Sequence, residues 1–387
     1  MNAPRVAVVG AGIGGLTAAI ALRAKGIDVE IYEAAPEPRA TGTALGIAGN
    51  ATKVLRALGI DLATDAHCSA LEHFDLRTAR GPLIRALPGS AITAELGHPF
   101  VSIHRNELIG TLREAAAGIP IHYGAEVVDV GVDRGRARAV CADGTEVLAE
   151  VLIGADGFRS AVRSTVAGDQ PPNEYGYVCW LATVRFTHPR MVPGYTGHYW
   201  GRGQRFGLID IGGGMAYWWG TKNMPAAAAR DWHSDKADIV AVFDGWADEV
   251  VEAIGRTPAD AIISVPGQDR PILKHWGSGP VTLLGDAAHP MLTSRSQGAS
   301  SAVEDGYVLA EALARVPIAV DALRAYEDRR RGRTRMLVRS SRRLNRLEQA
   351  QNPVACAMRN FGMRHAPMRS MIRQTTRPMR FDLGWTA

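Results

Sequence analysis

The chain has 387 residues, enough for two or three domain-sized units with a substantial buried core. Its 46% hydrophobic and 21% charged residues are ordinary for a globular protein, and no stretch reaches the roughly 18 apolar residues of a membrane span. The net charge of +5 is uneven: Arg329 to Arg380 holds fifteen arginines, no lysine and one acid, Glu348, so the remainder is negative.

In chain order, RVAVVG (5–10) is a short apolar run ending in glycine, the pattern of a buried parallel strand. A helix is predicted from Leu16 to Lys25 and a second strand over 27–34, which together make a βαβ unit. RARAVCADGTEVLAEVLIGADG (136–157) reads as a hairpin turning at Asp143-Gly144, followed by a buried strand. From about Glu174 to Ile272, tryptophans and tyrosines fall between short β-like runs, predicting an inserted, mostly antiparallel sheet. VTLLGDAA (281–288) returns to the buried-strand pattern, and Ser300 to Leu313 is predicted helical.

The basic tail places arginines at helical intervals among Met, Leu and Val, with no interleaved aromatics in RTRMLVRSSRRLNRLEQ. That favours a solvated or acid-facing helix over a nucleic-acid surface. Cys68, Cys141, Cys179 and Cys356 lie far apart with no metal-ligand spacing, so free thiols and no metal are expected. The N-terminus has no leader pattern, and a cytoplasmic location is expected.

Gly10-x-Gly12-x-x-Gly15 follows the first strand, and Glu33 ends the second. In that context Gly10 permits the tight turn and Gly12 lets backbone amides approach a pyrophosphate at the helix N-terminus, beside Ile13. Gly15 brings helix and strand together, and Glu33 can accept hydrogen bonds from ribose hydroxyls. The fingerprint alone does not separate NAD from FAD.

Two later stretches do: GADGFRSAVR, with Asp156, Gly157, Ser160 and Arg163, and LLGDAAHP, with Gly285 and Asp286. With these, in this order, the chain resembles the single-component, p-hydroxybenzoate hydroxylase-like (class A) FAD-dependent monooxygenases, above all the short urate-hydroxylase-like and zeaxanthin-epoxidase-like members. The resemblance covers Val6 to about Arg346. It implies an α/β protein: a Rossmann-type FAD-binding domain, an inserted antiparallel substrate-domain sheet and a C-terminal helical tail. The FAD-binding parts are expected over 1–72, 104–171 and 273–342, the substrate-domain parts over 73–103 and 172–272, and the tail over 343–387.

By the same resemblance, Asp286 bonds the ribityl hydroxyls, and Asp156 and Gly157 fix the loop facing the pyrophosphate. Arg105, in IHRNELIGTL, contacts the phosphate or ribityl region. Gln297, Gly298 and Ala299 face the isoalloxazine edge. Read without the family, Asp156 and Asp286 are helix N-caps and Arg105 is a surface partner for an acid.

The stretch LTSRSQGASSAVED departs from the family: Thr293 stands where Pro is expected, Ser296 replaces Gly and Ser300 replaces Asn. A serine at 296 is expected to lose positive φ beside the flavin. For the substrate, Arg205, Tyr217, Trp219 and Trp180 are the candidates, with Arg202 beside them. The alternative for each is a core aromatic or a surface arginine. His289 is expected to pack near the ribityl tail, and no residue declares itself as the active-site base.

The activity implied is hydroxylation or epoxidation of an aromatic or heteroaromatic small molecule with O2. NAD(P)H serves as transient hydride donor, and a flavin C4a-hydroperoxide as oxidant. A non-redox cyclisation or isomerisation on retained FAD, or a flavin-bound binding protein without turnover, are the alternatives. No nucleic-acid or membrane partner is expected, and monomer and homodimer are both open.

Overall fold

The computed structural model describes residues 5–38, 43–64, 67–233 and 235–384; residues 1–4, part of the N-terminal stretch for which no leader pattern is expected, lie outside them. At its centre Val6–Val9, buried throughout, pairs in parallel with Val29–Glu33 on one side and Val151–Gly154 on the other. Val281–Leu283 and Ile121–Tyr123 complete a five-stranded parallel sheet at its two edges. A parallel sheet needs cover on both faces, which explains the unbroken apolar runs.

The first helix spans Ile13–Ala24, three residues earlier than predicted, because Gly14 and Gly15 lie inside it. Tertiary contact decides this against glycine's low propensity. A Cβ on Gly15 would sit 2.0 Å from the Gly10 carbonyl oxygen, and one on Gly14 would meet Leu284 at 2.6 Å. Helix Gly298–Arg315 crosses the same helix, close enough that a Cβ on Gly306 would sit 2.7 Å from the Ala18 nitrogen.

The predicted hairpin is present, Arg136–Cys141 against Glu146–Ala149, with Gly144 at φ +87°. The sequence reading missed its third strand, Val127–Asp133. A seven-stranded sheet runs in the order Ile263–Asp269, Asn173–Arg185, Met215–Asn223, Gln204–Asp210, Tyr195–Trp200, His73–Thr78 and Leu83–Pro88. All its pairings are antiparallel except Tyr195–Trp200 with His73–Thr78. Helices Ala226–Arg230, Lys236–Val242 and Asp248–Arg256, unforeseen within this region, cover one face over a core that includes Trp180, Trp218, Phe206 and Phe243.

The basic tail is helical over Ala319–Glu348, Pro353–His365 and Met368–Thr376, and the first of these runs unbroken past residue 342. Its arginines face acids. Arg330 bonds Glu304 and Asp305, both fully buried, Arg333 bonds Glu304, and Arg342 grips Asp269 with two nitrogens. No helix among the described residues is long and apolar enough to cross a membrane.

Candidate active site

A single cavity of about 1690 Å³ runs from the glycine turn to the seven-stranded sheet. At one end Gly10 has φ +105°, and a Cβ there would lie 2.6 Å from the Ala155 carbonyl oxygen, so two loops meet without a side chain between them. Gly12 differs: a Cβ on it would meet nothing within 4 Å. Protein packing does not require a glycine there; the space beside it belongs to the cavity, which Gly12, Ile13 and Gly14 line. Helix Ile13–Ala24 has no side-chain cap and no acid in its first turn, leaving its positive end to an anion. Glu33 accepts from the Ala11 amide at 2.7 Å and the Ala35 amide at 2.9 Å, which fixes the carboxylate at the cavity wall with acceptor capacity to spare.

Asp156 accepts from the Ser160 hydroxyl at 2.5 Å and the Val162 amide at 3.2 Å, closing the start of helix Ala161–Ala167. Burial pushes its carboxyl up against those bonds. Both readings of Asp156 therefore hold in part, since it secures a helix and lines the cavity. Arg163 ties this loop to the third motif through the carbonyls of Ala287, at 2.9 Å, and Ala288, at 3.1 Å, and also donates to the Pro271 carbonyl at 2.7 Å.

Asp286 is accessible and lines the cavity, and among the described residues nothing donates a hydrogen bond to it. Desolvation by the surrounding protein holds its pKa above the usual carboxylate range, partly offset by His289 and Arg105. It does not cap the helix beside it. Arg105 also lines the cavity, and its guanidinium has no partner among the described residues.

Gln297, Gly298 and Ala299 line the cavity where helix Gly298–Arg315 begins, and a Cβ on Gly298 would be 3.8 Å from an Asp286 oxygen. The Gln297 amide is engaged with Asn50 at 3.1 Å, which in turn bonds Glu304 at 2.6 Å. Ser300 is buried and accepts from the Ala48 amide at 3.1 Å. Ser296 corrects an expectation. It sits at φ +50°, ψ +36°, so the left-handed turn survives the loss of glycine, with the strain carried by serine.

At the sheet end, strand alternation separates the aromatic candidates. Tyr217 and Trp219 face the cavity. Trp180 does not: it is fully buried on the opposite face, edge-on to Trp232 and Phe243, and leaves the substrate set. Arg205 lines the cavity but is only 3% exposed; it is paired with Glu348 and lies under the Trp219 ring, 4.9 Å from its centroid. The lone acid of the basic tail thus anchors a helix to the sheet. Burial pushes the Glu348 carboxyl up and Arg205 pulls it back. Arg202 is in an exposed turn. His289 lies outside the main cavity, bonded to Asp305 at 2.6 Å and packed on Trp276.

Sequence reasoning missed His198. Its ring stands between Phe74 and Trp219, at 4.9 and 5.1 Å, and burial with Arg205 nearby drives it down to about 3, so it is neutral at physiological pH. Tyr217 is held protonated by burial, and its hydroxyl has no partner among the described residues. Those residues contain no cluster fit for a metal ion.

Residues 4–341 match the FAD binding domain family. The chain belongs to that family. Among its relatives, aurachin C monooxygenase/isomerase of Stigmatella aurantiaca is 34% identical, over 97% of this chain and 98% of the relative. FAD-dependent urate hydroxylase of Klebsiella pneumoniae is 30% identical, over 87% and 88%. The crystal structure of Klebsiella pneumoniae HpxO complexed with FAD and uric acid superposes with a TM-score of 0.89 at 26% identity, covering 97% and 96%. With these family relatives, the chain is an FAD-dependent monooxygenase, for which NAD(P)H is the typical hydride donor. Its own residues fit FAD: an uncapped helix end, open space at Gly12, an unpaired Arg105 and an orphan acceptor at Asp286.

Proposed function

We propose that FAD lies along this cavity with its adenosine end at Glu33 and its pyrophosphate at the amides of Gly12 to Gly14. Arg105 would neutralise a phosphate and Asp286 would accept from the ribityl hydroxyls. The positive end of helix Gly298–Arg315, through Gln297, Gly298 and Ala299, would face the flavin ring. FAD, when bound and reduced by NAD(P)H, supplies the oxygen-activating chemistry.

The chain's own residues hold an aromatic or heteroaromatic ring against the Tyr217–Trp219 wall. The Tyr217 hydroxyl donates to a polar group on that ring, and neutral His198 adds no charge beside it. The observation that carries this reading is the continuity of one cavity from Glu33 to Tyr217. Relatives named for urate and for 3-amino-4-hydroxybenzoate support an electron-rich ring as substrate. The relative named both monooxygenase and isomerase supports a second reading, in which the oxygenated product rearranges before release.

The test is a screen of electron-rich rings under labelled O2, read as mass gain of one oxygen against NAD(P)H consumed. Product structures report any rearrangement. Asp286→Ala is expected to lower FAD affinity about 10- to 100-fold, as loss of a charge-assisted hydrogen bond would. Unchanged flavin binding in that variant would remove Asp286 from the cofactor site.

A further inference from the structure

The cavity extends well past the wall assigned to the ring. Strand register shows how far. Trp219 lies opposite Gly207, Gly207 opposite His198, and His198 opposite Leu76. One step along the strands, Tyr217 lies opposite Ile209, then Thr196, Phe74 and Leu87 in turn. These rows share one sheet face because side chains alternate. From Tyr217 to Leu87 is four strand spacings, or about 19 Å.

Polarity changes along that path. Beside Tyr217 lies Ile209 and then Thr196, while Arg205 with its Glu348 partner sits against Trp219, and neutral His198 follows in that row. Beyond them the floor is Phe74, Leu76, Leu87 and Trp200, and helices Pro353–His365 and Met368–Thr376 contribute Met363 and Met371 above it. Arg359, a cavity-lining charge beside Trp200, is already committed. Its guanidinium lies over the Trp200 ring at 4.7 Å and donates to the carbonyls of Gly201, Leu347 and Glu348.

Protein interiors are packed to near-crystalline density, and an apolar void forfeits the dispersion contacts of every side chain around it. Here apolar side chains instead line the far end of the cavity of about 1690 Å³ that also takes FAD and the ring. Besides Arg359, the polar groups near this end are the Trp200 Nε1, buried without a partner among the described residues, and Gln374 and Thr375 on the Met371 helix.

We propose that this annex, bounded by Phe74, Leu76, Leu87, Trp200, Met363 and Met371, takes a hydrocarbon chain attached to the substrate ring. The substrate class is then an electron-rich ring carrying an alkyl substituent, with the ring at Tyr217 and the chain directed toward Leu87. Unbranched, rotatable methionines on the roof suit chains of more than one shape. This inference rests on the placement of the ring at Tyr217 and Trp219.

The test uses FAD-loaded enzyme and a series of 4-n-alkylphenols from methyl to nonyl, with binding read by calorimetry and by perturbation of the flavin spectrum. Affinity is expected to rise about fourfold per methylene until the annex is full. Ala366→Trp, on the half-buried end of the roof helix, is expected to shorten the longest favoured chain while 4-methylphenol binds as before. Equal affinity across the series, or equal loss of short and long chains in Ala366→Trp, would overturn the annex. If 4-methylphenol is still oxygenated in that case, the ring assignment stands alone. Nonanol binding as tightly as 4-nonylphenol would also overturn the proposal, by showing a lipid site independent of the ring. If no phenol of any length binds, both assignments fall.

Discussion

Replacing Glu348 by alanine strips Arg205 of its carboxylate partner in a place where water cannot substitute. Both side chains are 3% exposed, and the Arg205 Nε already lacks a hydrogen-bond partner. A guanidinium does not lose its proton at accessible pH, so the charge cannot be neutralised by titration. What remains is the Trp219 face at 4.9 Å and the like charges of Arg295 and Arg359, for both of which Glu348 is also a counter-charge. Breaking a buried pair from one side costs about 3–5 kcal/mol. Replacing both partners with apolar groups of similar volume is near neutral, so Arg205→Met with Glu348→Leu is expected to recover most of the loss. Urea unfolding of the FAD-loaded protein, arranged as a double-mutant cycle, measures the coupling directly. FAD occupancy should hold in Glu348→Ala, because the pair joins the tail to the seven-stranded sheet rather than the glycine turn. A cost below about 1 kcal/mol with no coupling would refute the anchoring role.

Gly12→Val should empty the flavin site while the apoprotein keeps its melting temperature, whereas Gly15→Val should fail to fold stably. Circular dichroism melts of the apoprotein and bound-flavin absorbance separate the two, and equal damage to the apoprotein would contradict the difference in their surroundings. Ser296→Gly relieves a left-handed residue worth about 1–2 kcal/mol, less about 0.4–1 kcal/mol of added freedom in the unfolded chain. A small net gain in unfolding free energy is expected, and a loss would show that the serine hydroxyl makes a stabilising bond. Because His198 is held down to about 3 when folded but titrates near 6.5 when unfolded, the unfolded chain binds more protons in between. Stability should therefore fall as pH drops from about 6.5 toward 3, and His198→Phe should flatten that part of the pH profile. An unchanged profile in the variant would place the titrating group elsewhere.

Much of the cofactor end was legible because its logic is local. A glycine at positive φ, a strand that ends in it and a helix that follows are all encoded within a few residues, as at Gly10 and Gly285. The exceptions arose where distant backbone overrode local preference. Helix Ile13–Ala24 includes two glycines because Gly10, Leu284 and Ala302 leave no room for side chains there. Ser296 keeps a glycine-like conformation between a short turn and a long helix that fix its backbone from both sides.

By itself the sequence determined the βαβ unit with its glycine turn, the aromatic-rich sheet and the helical character of the basic tail. Each follows from a short-range pattern of apolar period, glycine and charge. It did not determine which face of a strand meets the cavity. Alternation puts Tyr217 and Trp219 on one side of their strand and Trp218 on the other, but only the packing of Phe243 and its helix decides which side is core. The same decision buried Trp180 and turned half-buried Leu181 to the cavity on the neighbouring strand. Likewise Glu348 reads as the single acid in a basic run, and its partner Arg205 lies 143 positions earlier. No local signal joins residues so far apart; the closure of tail helices over the sheet brings them together, and desolvation at that contact turns an ordinary ion pair into an anchor.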